Sequence, residues 1–214
     1  MIFQIRNEEK VNENAPIRLR CPSCHHLGVF RSFGIPAVQI QKDKIRYILT
    51  QRACPNADCN AHVFIVFQSG AGKPTVSYPP ERIDFDAASI PEMIAKTLEE
   101  AITCHAQDCF VAAGIMVRRT LEELCADKGA TGKNLQDRIK QLSASVILPQ
   151  GLLGGLDNLR LLGNDAAHVQ SKDFSQVGKD EVEVAIDVTK EVLKAIYQLD
   201  DLVAGLEQLK KPKS

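Results

Sequence analysis

Hydrophobic positions follow two different periods along this chain. Before residue 69, apolar and polar residues alternate in short runs rich in β-branched and aromatic types, which predicts strands at residues 17–20, 29–33, 45–51 and 62–67. From residue 89 onward, apolar residues recur at the spacing of an amphipathic helix. We therefore expect an α+β protein, mainly α, with a β module over residues 1–68, a linker over residues 69–88 that carries three prolines, and a helical bundle over residues 89–214.

The helical part is predicted to form an antiparallel bundle of four main helices and one short helix. Ser89 and Glu92 have the spacing of a capping box, which is expected to start the first helix. Gly129 is expected to end the second helix, and Asn134 to cap the short third helix. The fourth helix is expected to be firm from about Leu156.

The last helix is predicted to be the longest, over about residues 179–209. Its apolar stripe is expected to consist of Val182, Ile186, Leu193, Ile196, Leu199, Val203 and Leu206. A helix of this length would extend past the bundle, so its end from Leu199 onward needs a partner surface. A second copy of the chain is one such partner, and we expect a homodimer.

Composition limits the class of protein. Apolar residues make up 44% and charged residues 25% of the chain, as in ordinary globular proteins. No apolar run reaches the roughly 18 residues of a membrane-spanning helix, and the first residues show no hydrophobic signal region. Seven cysteines without an export signal favour a reducing compartment. We therefore expect a cytoplasmic protein that does not engage membranes.

Charge is distributed unevenly between the two parts. Residues 1–80 carry ten Lys or Arg against five Asp or Glu, a net charge of +5. Residues 81–214 carry sixteen against twenty-two, a net charge of −6. A basic N-terminal part is suited to following the phosphates of RNA or DNA.

The cysteines of the N-terminal part have the spacing of metal ligands. Cys21 and Cys24 flank two residues, and Cys54 and Cys59 flank four, with 29 residues between the pairs. Two such turns supply the four thiolates that structural zinc prefers, and the order of turn, hairpin, turn and strand resembles a zinc ribbon over about residues 17–68. Four protein ligands leave no open position for a substrate, so the predicted Zn²⁺ is structural.

Two alternatives stay open for this module. One of the nearby histidines His25, His26 and His62 could replace a thiolate. The module itself could contact nucleic acid, dock a protein or serve as a scaffold, because ribbons do all three.

The segment LDNLRLLGNDAAH places three polar residues, Arg160, Asn164 and His168, at four-residue spacing. On a helix this spacing puts the three side chains along one edge. An arginine, an amide and an imidazole in one row suit phosphate chemistry. The structural alternative is that these side chains join helices through buried hydrogen bonds and an ion pair.

Three segments of the helical part, AAGIMVRRTLEELCADKG, NLQDRIKQL and LRLLGNDAAH, resemble the bacterial family of domains of unknown function DUF4145, which is grouped with the HEPN (higher eukaryote and prokaryote nucleotide-binding) superfamily. The resemblance covers about residues 85–200. It implies a helical bundle, frequent dimerisation, and association with restriction, toxin–antitoxin and other defence systems.

The resemblance also implies a catalytic motif, because many HEPN proteins are metal-independent ribonucleases with an Arg, a following polar residue and a later His. Asn164 and His168 match the polar residue and the His. Gly163 stands where the motif has Arg, so the cation would come from Arg160 or from the pair Arg118 and Arg119. His168 would then act as acid or base, and the arginine would stabilise charge on phosphorus.

Two functional hypotheses follow. The first is a zinc-ribbon and HEPN-like protein that engages RNA or DNA, with an endoribonuclease activity at Arg160, Asn164 and His168, within a prokaryotic defence or restriction system. The alternative is a non-enzymatic adaptor whose ribbon and long last helix dock partner proteins. Whether the chain is an enzyme stays open at this point.

Overall fold

The computed structural model describes residues 8–12, 15–34, 36–71, 74–146, 149, 151–152, 154–155, 178–199 and 203. The chain divides into two compact units, Met1–Asp84 and Phe85–Ser214. The first unit contains an antiparallel sheet and the second contains helices. The expected α+β class is therefore confirmed. None of the described helices combines the length and the apolar character needed to cross a bilayer.

Within the described residues, seven strands form one sheet, and all of its pairs are antiparallel. The strands are β1 (Glu8–Val11), β2 (Ile17–Arg20), β3 (Leu27–Ser32), β4 (Ala37–Lys42), β5 (Ile45–Ala53), β6 (His62–Gln68) and β7 (Val76–Tyr78). The long β5 pairs with β6 along one edge and with β4 and then β3 along the other, while β1, β2 and β7 lie outermost. All four predicted strands are present, and β1, β4 and β7 were not predicted.

One face of the sheet holds the core of this unit. Along β6, Val63, Ile65 and Phe67 are at most 1% exposed, whereas Phe64 between them is 57% exposed. This alternation follows from the two-residue period of a strand. The core also contains residues of β2, β3 and β5, namely Ile17, Leu19, Phe30 and Ile48. The first cysteine of each pair, Cys21 and Cys54, belongs to the same core. We call the opposite face, which carries Phe64, the outer sheet face.

The hairpin between β4 and β5 turns through two residues, Asp43 and Lys44. Their φ angles are +52° and +66°, and two positive φ values in a two-residue loop are the signature of a type I′ turn. The turn holds Lys42, Lys44 and Arg46 at an exposed end of the sheet. We call residues 42–46 the hairpin tip.

The helical unit contains α1 (Glu92–Ala106), α2 (Phe110–Asp127), α3 (Leu135–Ser145) and α4 (Lys179–Leu193), and α4 continues into a π-helical segment, Lys194–Gln198. Helix α2 contacts α1, α3 and α4. Its inward residues Val117, Leu121 and Leu124 are at most 1% exposed. This helix is therefore the centre of the described bundle.

The predicted helix ends are partly right. Asn134 caps α3, since its Oδ1 accepts a hydrogen bond from Asp137 N at 2.9 Å. Gly129 follows α2 with φ +68°, as predicted for the residue that ends a helix. The capping box at Ser89 is wrong, because α1 begins at Glu92 directly after Pro91 and Ser89 has φ +60°, outside the geometry of an N-cap.

The apolar stripe of the last helix is buried only in part. Val182, Ile186 and Leu193 are fully buried, whereas Leu199 and Val203 are 52% and 51% exposed. The π-helical segment Lys194–Gln198 lies between Leu193 and Leu199 and adds a residue to the helical turn. The later apolar residues are therefore rotated about the helix axis relative to the buried ones. The partner surface expected beyond Leu199 stays a prediction.

Polar contacts hold the π-helical segment to the rest of the helical unit. Tyr197 donates its hydroxyl to Asp127 Oδ2 at 2.6 Å. Gln198 Nε2 donates to the backbone oxygens of Asp86 and Ala88, both at 2.9 Å. These bonds fix the end of the helix against α2 and against the start of the unit.

Candidate metal centre

Two cysteine-bearing turns follow β2 and β5, and we call them knuckle 1 (residues 21–26) and knuckle 2 (residues 54–61). In each, the residue after the second cysteine has a positive φ, +58° at His25 and +47° at Asn60. Two turns of the same hand therefore point both thiols of each pair inward. The backbone N–H of the first cysteine closes each turn, at 2.9 Å from Cys21 to His26 O and 2.8 Å from Cys54 to Ala61 O.

The four sulfur atoms form a compact cluster. The Sγ atoms of Cys21, Cys24, Cys54 and Cys59 all lie within 4.8 Å of one another. The Cys21–Cys59 distance is 3.8 Å and the Cys24–Cys54 distance is 3.7 Å. A tetrahedral ion with metal–sulfur bonds of about 2.3 Å requires sulfur–sulfur edges of about 3.8 Å. The predicted ligand set is therefore brought together in a geometry that fits a tetrahedral metal site.

Asn56 explains how the wider second pair of cysteines fits the same site. Its Oδ1 accepts a hydrogen bond from Asp58 N at 3.1 Å, which folds the two additional residues into a local turn. Its Nδ2 donates to Cys24 Sγ at 3.7 Å. One amide therefore shapes knuckle 2 and also stabilises a sulfur of knuckle 1 that carries negative charge when ionised.

Each knuckle is braced by an arginine. Arg20 Nη1 donates to His25 O of knuckle 1 at 3.0 Å. Arg31 Nη2 donates to Cys54 O at 3.2 Å and to Asn60 Oδ1 at 2.8 Å in knuckle 2. From the sequence, both arginines were expected only to contribute to the basic charge of the N-terminal part. Nothing in the pattern distinguishes them except that Arg20 directly precedes a cysteine.

The thiols are unequal before a metal binds. The backbone N–H of His26 is the main cause that lowers the pKa of Cys24 to about 7. Burial raises the pKa of Cys54 to about 12 and also raises the pKa of Cys21. A bound cation would hold all four sulfurs as thiolates, so binding must release protons.

The neighbouring histidines are not part of the sulfur cluster. Among the described residues, the group within mutual reach of one ion consists of the four cysteines alone. His62 instead accepts a hydrogen bond from Gln51 Nε2 at 2.9 Å, and its ring lies edge-on to Phe33 with centroids 4.3 Å apart. The alternative in which His62 replaces a thiolate is therefore not supported.

Gly28 leaves the space that knuckle 2 needs. A Cβ atom at this position would lie 2.8 Å from Pro55 Cγ and 3.1 Å from His26 Nε2. We expect Gly28→Ala to displace Pro55 and with it the adjacent Cys54, at a cost of about 1–3 kcal/mol in the stability of the N-terminal unit. The measurement is thermal unfolding of the Zn²⁺-loaded protein, together with the rate of Zn²⁺ transfer to a chromogenic chelator.

Gly151→Ala is the matched control, because a Cβ atom there meets no heavy atom within 4 Å. It should leave both measurements unchanged. Wild-type stability and wild-type Zn²⁺ transfer in Gly28→Ala would show that Pro55 does not position the knuckle.

The predicted polar row lies outside the described residues. Arg160, Asn164 and His168 all belong to this part of the chain, so their roles stay predictions from the sequence. Arg118 and Arg119, the possible supporting cations, lie on α2. Arg118 Nε is 3.0 Å from Glu122 Oε1 and Arg119 Nε is 2.9 Å from Glu123 Oε1, which are the pairs expected four residues apart on a helix.

The three cysteines of the helical unit form no metal cluster with other described residues. Cys125 is buried, and burial raises the pKa of its thiol to about 11. Cys104 is half-buried and Cys109 is exposed.

Comparison with known families identifies the C-terminal part of the chain. The model of a family described as Domain of unknown function (DUF4145) matches residues 99–211, slightly more than half of the chain. Comparisons with curated proteins and with solved structures find no match. The matched range excludes both knuckles, so the family match gives no information on the cysteine cluster.

Proposed function

This chain belongs to the DUF4145 family of domains of unknown function, and from that premise we propose that it is a nucleic-acid-binding protein whose N-terminal unit is a zinc ribbon. We further propose that the helical unit is a HEPN-like bundle, on the basis of its resemblance in sequence, and this favours RNA as the nucleic acid. The ribonuclease hypothesis for Arg160, Asn164 and His168 is a further step that the described residues do not address.

Zinc is the metal that the four-thiol set suits best. Thiolate ligands in a tetrahedron are typical of structural zinc and of iron–sulfur centres, and sulfur–sulfur distances of 3.7 and 3.8 Å match a single ion. All four positions of the ion are filled by protein. The metal therefore stabilises a fold and does not take part in catalysis.

The observation that carries nucleic-acid binding is the hairpin tip. Lys42, Lys44 and Arg46 are exposed there, and Asp43 is the one acid among them. Three other arginines of this unit serve the fold, since Arg20 and Arg31 brace the knuckles and Arg52 is 1% exposed. Three exposed cations within five residues therefore form a compact basic group on the turn at the end of the sheet, which suits contacts to phosphates.

Replacing Lys42, Lys44 and Arg46 together by Ala is expected to weaken RNA binding about tenfold at low salt. The slope of log affinity against log salt should fall by roughly 2–3, about one for each lost phosphate contact. The measurement is fluorescence anisotropy of a labelled RNA oligonucleotide titrated with Zn²⁺-loaded protein at several salt concentrations.

The matched control replaces Lys96, Lys140 and Lys194 by Ala, three exposed lysines of the helical unit. It changes the net charge equally and should keep wild-type affinity. An equal loss in both triple variants would attribute binding to overall charge instead of the hairpin tip. No binding of RNA or DNA by the wild type would contradict the proposal and leave the adaptor alternative.

A further inference from the structure

A groove crosses the outer sheet face where β5, β6 and β7 lie side by side. Its volume is about 360 Å³, and Leu49, Gln51, Phe64, Val66, Val76 and Tyr78 contribute to its lining. Gln51 is the Cα partner of Phe64, and Phe64 is the Cα partner of Tyr78. The groove is therefore lined mainly by apolar side chains from one face of three paired strands.

Two aromatic residues in this groove are exposed without a role in the core. Phe64 is 57% and Tyr78 is 68% exposed, and Val76 beside them is 39% exposed. Residues directly opposite on antiparallel strands have Cβ atoms about 4.5–5.5 Å apart. The strand register therefore holds the two rings as neighbours on a rigid surface. Aromatic rings clustered in the open like this are typical of binding sites.

The position of the groove limits what it can bind. It lies on the face of the sheet, so an extended peptide that adds a strand would pair at an edge and not enter it. A flat, partly polar ring system can stack on the rings of Phe64 and Tyr78 and contact the apolar side chains between the strands. Gln51 is a polar residue of the lining, and its amide, which is hydrogen-bonded to His62 Nδ1 at 2.9 Å, can exchange further hydrogen bonds with the edge of such a ring.

Positive charge on the same face of the sheet favours a polyanion as the ligand of this groove. Lys42 of the hairpin tip is the Cα partner of Ile45, which lies six residues from Gln51 on β5 and therefore on the same face, about 20 Å away at the rise of a strand. A strand of nucleic acid whose phosphates contact the hairpin tip can therefore reach the groove with a base. Stacking on aromatic side chains requires that this base be unpaired.

We propose that the outer sheet face is a single-strand binding surface, in which Phe64 and Tyr78 stack on an unpaired base of RNA or DNA. This inference rests on the proposed nucleic-acid binding and specifies its ligand as single-stranded. It predicts a preference for an unstructured strand over a duplex of the same sequence.

The first test compares the double variant Phe64→Ala/Tyr78→Ala with the wild type. Its affinity for an unstructured RNA oligonucleotide should fall at least about tenfold, because stacking is sequence-tolerant and strong for each base. The salt slope should stay at its wild-type value, because no cation is removed. Tyr78→Phe keeps the ring and should bind as the wild type does.

The control is Met93→Ala/Val184→Ala, which removes two side chains that are 67% and 62% exposed in the helical unit. It should leave single-strand affinity unchanged. Thermal unfolding of all variants should be equal within error, because the replaced side chains lie on the surface.

The second test uses the absence of tryptophan from the chain. In Phe64→Trp the single indole should stack on a bound base, and its emission should be quenched by a saturating single strand. In Met93→Trp the indole lies on α1, and its emission should not change.

The outcomes separate the two proposals. If the wild type binds no nucleic acid, both are wrong. If it binds through Lys42, Lys44 and Arg46 but the Phe64→Ala/Tyr78→Ala variant keeps its affinity, only the single-strand surface is wrong. Equal binding of duplex and single strand by the wild type would also contradict the single-strand surface. So would a change in the oligomeric mass of the double variant, because it would assign the groove to a second copy of the chain.

Discussion

Removal of the metal by a strong chelator is expected to unfold the N-terminal unit and to leave the helical unit folded. Structural Zn²⁺ contributes about 10–16 kcal/mol of apparent binding free energy at neutral pH, and this energy is folding energy in a small module. Cys21 and Cys54 are fully buried members of the core of the sheet, so a bound ion and the core would form one cooperative structure. A unit of this size has little else with which to replace it.

Circular dichroism and elemental analysis check this result. The wild type should contain about one Zn²⁺ per chain, and chelation should abolish the thermal transition of the sheet while the helical signal at 222 nm persists. Cys54→Ser should reproduce the effect of the chelator. Cys109→Ser removes an exposed thiol of the helical unit and should behave as the wild type does.

Full thermal stability in the presence of chelator, with no metal in protein purified without it, would show that the four thiols are merely packed together. A loss of the helical signal in parallel with the sheet would contradict the independence of the two units.

Leu124→Ala is expected to destabilise the helical unit by about 2–5 kcal/mol. Leu124 is fully buried on α2, the helix that contacts α1, α3 and α4. Truncation removes three carbon atoms at this central position and leaves a cavity that the rigid surrounding helices fill only in part. The lost apolar contacts and the cavity both contribute to the cost.

Chemical denaturation of the Zn²⁺-loaded protein, followed at 222 nm, measures the effect. Leu199→Ala is the matched control, because the same side chain is 52% exposed there and its truncation should change the free energy of unfolding by less than about 0.5 kcal/mol. Equal effects of the two substitutions would show that Leu199 is buried in solution, which would support the predicted partner surface on the last helix.

The metal centre was predictable because its signal is local and chemically specific. Two cysteines in one short turn face the same side, and few functions other than metal binding require two such turns. The cap at Asn134 was predictable for the same reason, since the amide reaches a backbone N–H only three residues away. Ser89 failed because capping also requires the correct backbone entry, and its φ of +60° excludes that entry.

The sheet was only partly predictable. Strands β2, β5 and β6 alternate clearly enough to be found, whereas β1 reads EEKV and β7 has three residues within a predicted linker. Each of these strands is stabilised by backbone pairing with a neighbour: β1 pairs with β4, and β7 pairs with β6. Strand pairing between distant segments is not encoded in the local pattern of a single strand.

The sequence by itself determined the α+β class and the four cysteines that cluster, because periodicity, composition and cysteine spacing are properties of short segments. The tertiary structure decided that Arg20 and Arg31 brace the knuckles and that three cations share the hairpin tip. It also brought Phe64 and Tyr78 together on the outer sheet face. These relations depend on strand register and turn geometry, which the pattern of apolar and polar residues within one segment does not specify.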